Sequence, residues 1–158
     1  CFGMQMAIIE FARNKLNMKK ATSSEFGPGG IAIIGLISEW NKDGKVIKGT
    51  DKDLGGTMRL GLYEAKLKGN SLVKKIYKSK IIFERHRHRY EVNITYKEQF
   101  EENGMIFSGL SPDNKLPEII ELKNHPWFVA VQFHPEFKSR PLAPHPLFSS
   151  FIKAAKNH

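Results

Sequence analysis

Cys1 is the only cysteine in the chain. That excludes an internal disulfide framework and any multi-cysteine zinc cage, and a reducing, cytoplasmic setting is the expected one. No run approaches the roughly 20 consecutive apolar residues of a membrane helix, so no membrane partner is expected. No charged leader precedes an apolar stretch, and internal repeats and low-complexity segments are missing too. Acidic residues are the scarcer charge, 16 Asp and Glu against 25 Lys and Arg, for a net charge of +9. Such an excess suits an anionic partner such as nucleic acid. Here, however, lysines such as Lys15, Lys19, Lys66, Lys68, Lys74 and Lys75 alternate with apolar residues and form no basic tail. That pattern reads as solvated surface, and no nucleic acid partner is expected.

What is present fits one compact domain. The 158 residues are 41% apolar, spread along the whole length, which supports a real core and excludes general disorder. A chain that opens on Cys rather than Met is expected to be a processed product or a piece of a longer polypeptide.

Met4, Ala7, Ile8, Phe11 and Ala12 recur at helical spacing and predict a helix over residues 3–16, with Cys1 just before it. Residues 31–37 read as a buried strand, 41–44 as a turn, and 46–47 as a short returning strand. Residues 53–57 form a loop with two adjacent glycines that leads into 58–67. Short strands are expected at 81–83 and 90–92, around a basic patch. A helix follows at 96–102, then strands at 105–108, 117–122 and 127–133, with Asp113-Asn114 turning between the first two. Leu147, Phe148, Phe151, Ile152 and Ala155 predict a closing amphipathic helix with Pro146 in its first turn. The fold class is therefore α/β, a layered sheet flanked by helices. The opening helix lacks the strand that should feed it, so an upstream part is expected to be missing.

Three stretches carry chemistry. In Cys1-Phe2-Gly3-Met4-Gln5 a cysteine stands at a helix N-terminus, where positive potential favours the thiolate. The amides that follow are free to bind an oxyanion. A buried structural cysteine is the competing reading. In Phe133-His134-Pro135-Glu136 a histidine ends a strongly apolar strand, with a carboxylate two residues on that can orient the imidazole. An ordinary surface pair would look the same. Zinc-deaminase chemistry is ruled out, because it needs a cysteine pair. A cysteine with a distant histidine is the expected arrangement for thiol nucleophile chemistry.

The third stretch is Glu84-Arg-His-Arg-His-Arg-Tyr-Glu-Val-Asn93. In extended chain Arg85, Arg87 and Arg89 share one face, and His86 and His88 the other. Arginine suits bidentate carboxylate recognition. A nucleic-acid patch, a surface histidine pair able to take a metal, and a solvated patch all remain open. Glu25, in Ala21-Thr-Ser-Ser-Glu-Phe26, can face an ammonium group or serve as a loop cap.

Taken together, the stretches CFGMQ, ATSSEF, DLGGTMRLG (53–61), ERHRHRYEVN (84–93), FHPEFKSRP (133–141) and HPLF (145–148) resemble the CTP synthase family, in the same order and over nearly the whole chain. A cysteine and an HPE are common to many class I glutamine amidotransferases. RHRHRYEVN and GGTMRLG are far more specific to CTP synthases. Phe2 stands where that family usually has leucine, and the loop 27–30 is slightly shortened.

The resemblance implies a class I glutamine amidotransferase-like fold. Residues 1–158 would be a partial glutaminase domain that starts at the nucleophilic cysteine and lacks its upstream half. It implies that Cys1 is the nucleophile, His134 the general base and acid, and Glu136 its orienting partner. Phe2, Gly3, Met4 and Gln5 would line the glutamine pocket, with the Phe2 amide in the oxyanion hole. Glu25 and Arg89 would hold the amino-acid end of L-glutamine. Residues 53–61 would form a lid near a GTP effector. The ammonia released would serve a synthase domain of the same polypeptide, which uses ATP and Mg2+ to aminate UTP. No cofactor and no metal are expected in this chain, and the parent is expected to be a homotetramer. Another class I amidotransferase, a γ-glutamyl hydrolase, and a basic nucleic-acid-binding or assembly module are the alternatives.

Overall fold

The computed structural model describes residues 1–36 and 58–157. The turn, the short returning strand and the first half of the lid expected at 41–57 lie outside the described residues.

The opening helix, α1, runs Phe2–Asn14 with Cys1 as its N-cap. Met4, Ile8, Ile9, Phe11 and Ala12 form its inner stripe. A short strand β1 (Ala21–Ser23) and a 3-10 turn (Ser24–Phe26) lead to β2 (Ile31–Leu36). The chain resumes with β3 (Arg59–Leu67), the short helix α2 (Leu72–Tyr77), β4 (Ile81–His88) and β5 (Tyr90–Val92). Helix α3 (Lys97–Glu102) precedes β6 (Met105–Leu110), β7 (Pro117–Leu122) and β8 (Val129–Val131), and α4 (Pro146–Lys156) closes the chain. Among the described residues no helix is long and apolar enough to cross a membrane.

The α/β class is as expected, but the described strands fall into two sheets rather than one. β1, β2 and β5 form a three-stranded sheet in which β1 and β2 are parallel; β4, β3, β6, β7 and β8 form an antiparallel five-stranded sheet. The chain changes sheet at Arg89, between the end of β4 and the start of β5. The stripe of α1 packs with Ile33, Ile34, Val92, Phe107 and Ile120, so the helix shares one core with strands of both sheets. A second core, of Ala65, Leu67, Val73, Ile82, Ile119, Phe133 and Leu147, lies on the other side of β7.

β7 is buried on both faces although it carries two glutamates. Each faces a partner from another element. Glu121 accepts from the amides of Leu72 (2.9 Å) and Val73 (3.0 Å), the orphan donors that open α2. Glu118 faces Arg59 at 2.8 Å. β8 is shorter than the apolar run 127–133 predicts. The Trp127 indole donates to Ser150 Oγ (2.8 Å) and its ring lies 5.2 Å from Phe151, so α4 takes that residue out of the sheet.

Candidate active site

β4 alternates strictly between solvent and interior. Arg85 and Arg87 point outward, and Arg89 just past the strand is exposed too, while His86 and His88 point inward. The two-residue period therefore sorts the basic patch as read from the sequence. The histidines, however, do not form a surface pair. His86 Nδ1 and His88 Nε2 lie 2.8 Å apart inside the protein. Burial, then the charge of Arg59, lowers His86 to about 2 and His88 to about 3, so both are neutral at physiological pH. Beside them Arg59 bridges Glu91 (3.2 Å) and Glu118 (2.8 Å), both fully buried. Two carboxylates oppose one guanidinium. Burial pushes Glu91 up to about 8 against the pull of Arg59, and it raises Glu118 in the same way.

Of this network His88 reaches a cavity of about 310 Å³, lined also by Cys1, Phe2, Gln5, Glu25, Met58, Arg87, Arg89 and Tyr90. Five residues singled out in the sequence, Cys1, Phe2, Gln5, Glu25 and Arg89, thus meet at one place although they come from α1, the 3-10 turn after β1, and the sheet junction. Gly3 and Met4 do not line it. Met4 is in the α1 core, which leaves only its backbone for the site, and a side chain at Gly3 would meet nothing within 4 Å.

Cys1 is half-buried. Its backbone nitrogen donates to Val131 O at 2.6 Å, which ties the start of α1 to β8. The Gln5 amide closes the first turn on Cys1 O (3.3 Å), so the amides of Phe2, Gly3 and Met4 precede the first intrahelical bond. With the positive end of the helix dipole, they form an anion-stabilising corner beside the sulfur.

The Tyr90 carbonyl ties the cavity wall together. It accepts from Gln5 Nε2 (2.9 Å) and Gln132 Nε2 (3.3 Å), and His88 Nδ1 lies 3.2 Å away. Gln132 also reaches Cys1 Sγ at 3.7 Å. The sequence reading passed over Gln132. Its signal was available: a polar residue in an otherwise apolar run, two positions before His134 and so in phase with it on an extended chain. The Tyr90 carbonyl, a backbone atom, has no sequence signal.

His134 follows the β8 segment, with its amide donating to Arg85 O (2.8 Å). Its Nδ1 meets Glu136 Oε1 at 2.7 Å, and Phe137 stacks on the ring at 5.1 Å. Burial works to raise the Glu136 carboxyl, but the hydrogen bond from His134 and its own amide outweigh this and hold it below the ordinary value. A tautomer that donates Nδ1–H to Glu136 leaves the other ring nitrogen, Nε2, as the acceptor. That atom is buried and unpaired by any described group. Cys1, Glu25 and Arg89 share the cavity, whose lining does not include His134 and Glu136; together these residues can supply a thiol, backbone anion donors, opposite charges and an oriented base. This is the equipment of thiol-based acyl transfer.

The chain matches the class-I glutamine amidotransferase family over residues 1–154 and belongs to that family. Among its relatives the likeness is to CTP synthases. It is 82% identical over its whole length to the CTP synthase of Pelagibacter ubique. It is 62% identical over 98% of its length to that of Zymomonas mobilis. The chain spans 29% of each of these relatives. In structure it resembles the glutaminase domain of Trypanosoma brucei CTPS with bound acivicin. The TM-score is 0.82 at 34% identity, over 98% of this chain and 58% of that one.

Proposed function

We propose that this chain is the glutamine-hydrolysing part of a CTP synthase, and that the ammonia it releases aminates UTP elsewhere in the same polypeptide. The observation that carries the reading is the shared cavity of Cys1, Glu25 and Arg89. A thiol at a helix N-terminus faces a space that also presents the Glu25 carboxylate and the guanidinium groups of Arg87 and Arg89, the complement of a free amino acid whose side chain ends in an amide.

In this reading Cys1 Sγ attacks the side-chain carbonyl carbon of L-glutamine. The carbonyl electron pair moves to oxygen, which the Phe2 amide and the helix terminus stabilise. His134 Nε2 takes the thiol proton and delivers it to the departing nitrogen as the C–N bond breaks. Ammonia and a thioester result. Water then adds to the thioester, His134 accepts its proton and returns it to the sulfur, and glutamate leaves. Glu136 keeps the imidazole in the right tautomer and supports its positive charge. Arg89 forks onto the α-carboxylate, Glu25 accepts from the α-ammonium, and Gly3, Met4 and Gln5 contribute the backbone and wall beside the nucleophile. ATP and Mg2+ belong to the synthase part of the polypeptide and GTP to its regulation. A cytoplasmic homotetramer completes the proposal.

The test is covalent labelling of the full polypeptide with an electrophilic glutamine analogue, followed by mass spectrometry. Modification is expected on Cys1. Cys1→Ala should abolish glutamine-dependent CTP formation and leave synthesis from free ammonia intact. Label elsewhere, or loss of both activities, overturns the assignment.

A further inference from the structure

We infer that Gln132 is a further catalytic residue of this site: its buried side-chain amide donates an N–H to the Cys1 sulfur and holds the sulfur in its thiolate form. The inference rests on the reading of Cys1 as the nucleophile. Gln132 is completely buried, directly after β8, where apolar neighbours on both sides would favour an apolar residue. Its Nε2 carries two hydrogens and faces two acceptors, Tyr90 O at 3.3 Å and Cys1 Sγ at 3.7 Å. Turning the amide over would set oxygen against the Tyr90 carbonyl, so those two acceptors fix which end is nitrogen. The other end, Oε1, is buried with no hydrogen-bond partner among the described residues.

A buried, unpaired carbonyl is destabilising, and a methionine of similar size would avoid it. The amide is thus explained by its donor end. Gln5 already donates to Tyr90 O at 2.9 Å, so bracing that carbonyl does not by itself require a second amide. What Gln132 adds is the bond to sulfur. A thiolate is a stronger acceptor than a thiol, so a fixed N–H favours the charged nucleophile. The bond also remains available when the sulfur leaves the thioester as a thiolate. His134 takes the proton and Gln132 stabilises the charge left behind, which separates the two tasks between a titratable group and a neutral one.

The test is the pH profile of Cys1 alkylation by iodoacetamide in the full polypeptide, comparing the parent with Gln132→Met and Gln132→Glu. The other charged and titratable groups around the site, Glu25, Arg87, His88, Arg89, His134 and Glu136, are the same in all three, so the difference isolates position 132. In Gln132→Met the midpoint should rise by about one pH unit, so alkylation well below the midpoint falls roughly tenfold, the low end for a hydrogen bond to a charged group. The plateau at high pH should be retained, which shows that the site is still assembled. Gln132→Glu keeps the shape of the amide and should move the midpoint in the same direction, because its carboxyl has at most one hydrogen for the two acceptors and, once ionised, repels the thiolate. An unmoved midpoint in either variant that keeps its plateau overturns the inference. If instead Cys1→Ala retains glutamine turnover, the nucleophile reading itself fails; Cys1→Ala inactive with an unmoved midpoint removes only the role of Gln132.

Discussion

Replacing Arg59 by methionine removes the cation that faces Glu91 and Glu118, at 3.2 and 2.8 Å. Methionine keeps the apolar stem but loses the charge and the guanidinium that lies over the Tyr63 ring at 4.6 Å. Breaking a buried ion pair from one side destabilises by about 3–5 kcal/mol, because the remaining charge is left uncompensated. The two carboxylates can escape by taking up protons, which makes the loss depend on pH. Glu91 already sits near 8 in the folded chain, against an ordinary 4.5. The folded state therefore holds a proton that the unfolded chain has released, and stability falls as pH rises towards 8, by about 1.4 kcal/mol per pH unit for one proton. His86 and His88 act in the opposite sense. Their folded values lie far below 6.5, so stability falls as pH drops below 6.5 and the unfolded chain takes up protons. Parent stability should thus be greatest near pH 6 and decline by about 2 kcal/mol between 6.5 and 8. Without Arg59 both carboxylates lose the charge that favours their ionised forms, and the decline should be steeper. Urea unfolding of the chain at pH 6.5 and pH 8 checks this. A loss in Arg59→Met below about 1 kcal/mol at pH 8, or an equal loss at the two pH values, would refute the reasoning.

Two predictions concern substrate and turnover. Arg89→Ala and Glu25→Gln should each weaken glutamine binding roughly ten- to a hundredfold, the loss of one charge-assisted hydrogen bond, while ammonia-dependent synthesis is unchanged; an unaltered glutamine KM in Arg89→Ala contradicts the assignment. His134→Ala should lower glutamine kcat far more than it alters KM, and Glu136→Gln should show a partial form of the same defect; near-normal turnover in both, measured beside the ammonia-dependent rate, would return the pair to an ordinary surface contact.

The elements with strong periodicity were legible in the sequence. α1, β7 and α4 stand within two residues of where the apolar spacing puts them. The misses have local causes. α2 is a turn and a half whose amides are held by the distant Glu121 and by Ser71 Oγ, so little in Leu72–Tyr77 itself announces a helix. β4 runs through the basic patch rather than stopping at residue 83, because its inward histidines and Glu84 have buried partners that only the fold supplies. At the site, the cluster of Cys1, Glu25 and Arg89 was readable as separate motifs. Their meeting depends on the change of sheet at Arg89, and the roles of Arg59 and Gln132 depend on contacts across 30 or more residues.

β4 spaces two incompatible sets of side chains, Ile81, Phe83 and two arginines outward, Ile82, Glu84 and the two histidines inward, at single-residue alternation. Point substitutions can adjust either set without disturbing the other. A one-residue insertion or deletion cannot, since it exchanges them at a stroke, turning guanidinium groups into the interior and the histidine pair out to water. Drift in length is therefore barred within this strand and must be absorbed by the connections on either side, so the strand acts as a ruler against which the rest of the chain is measured.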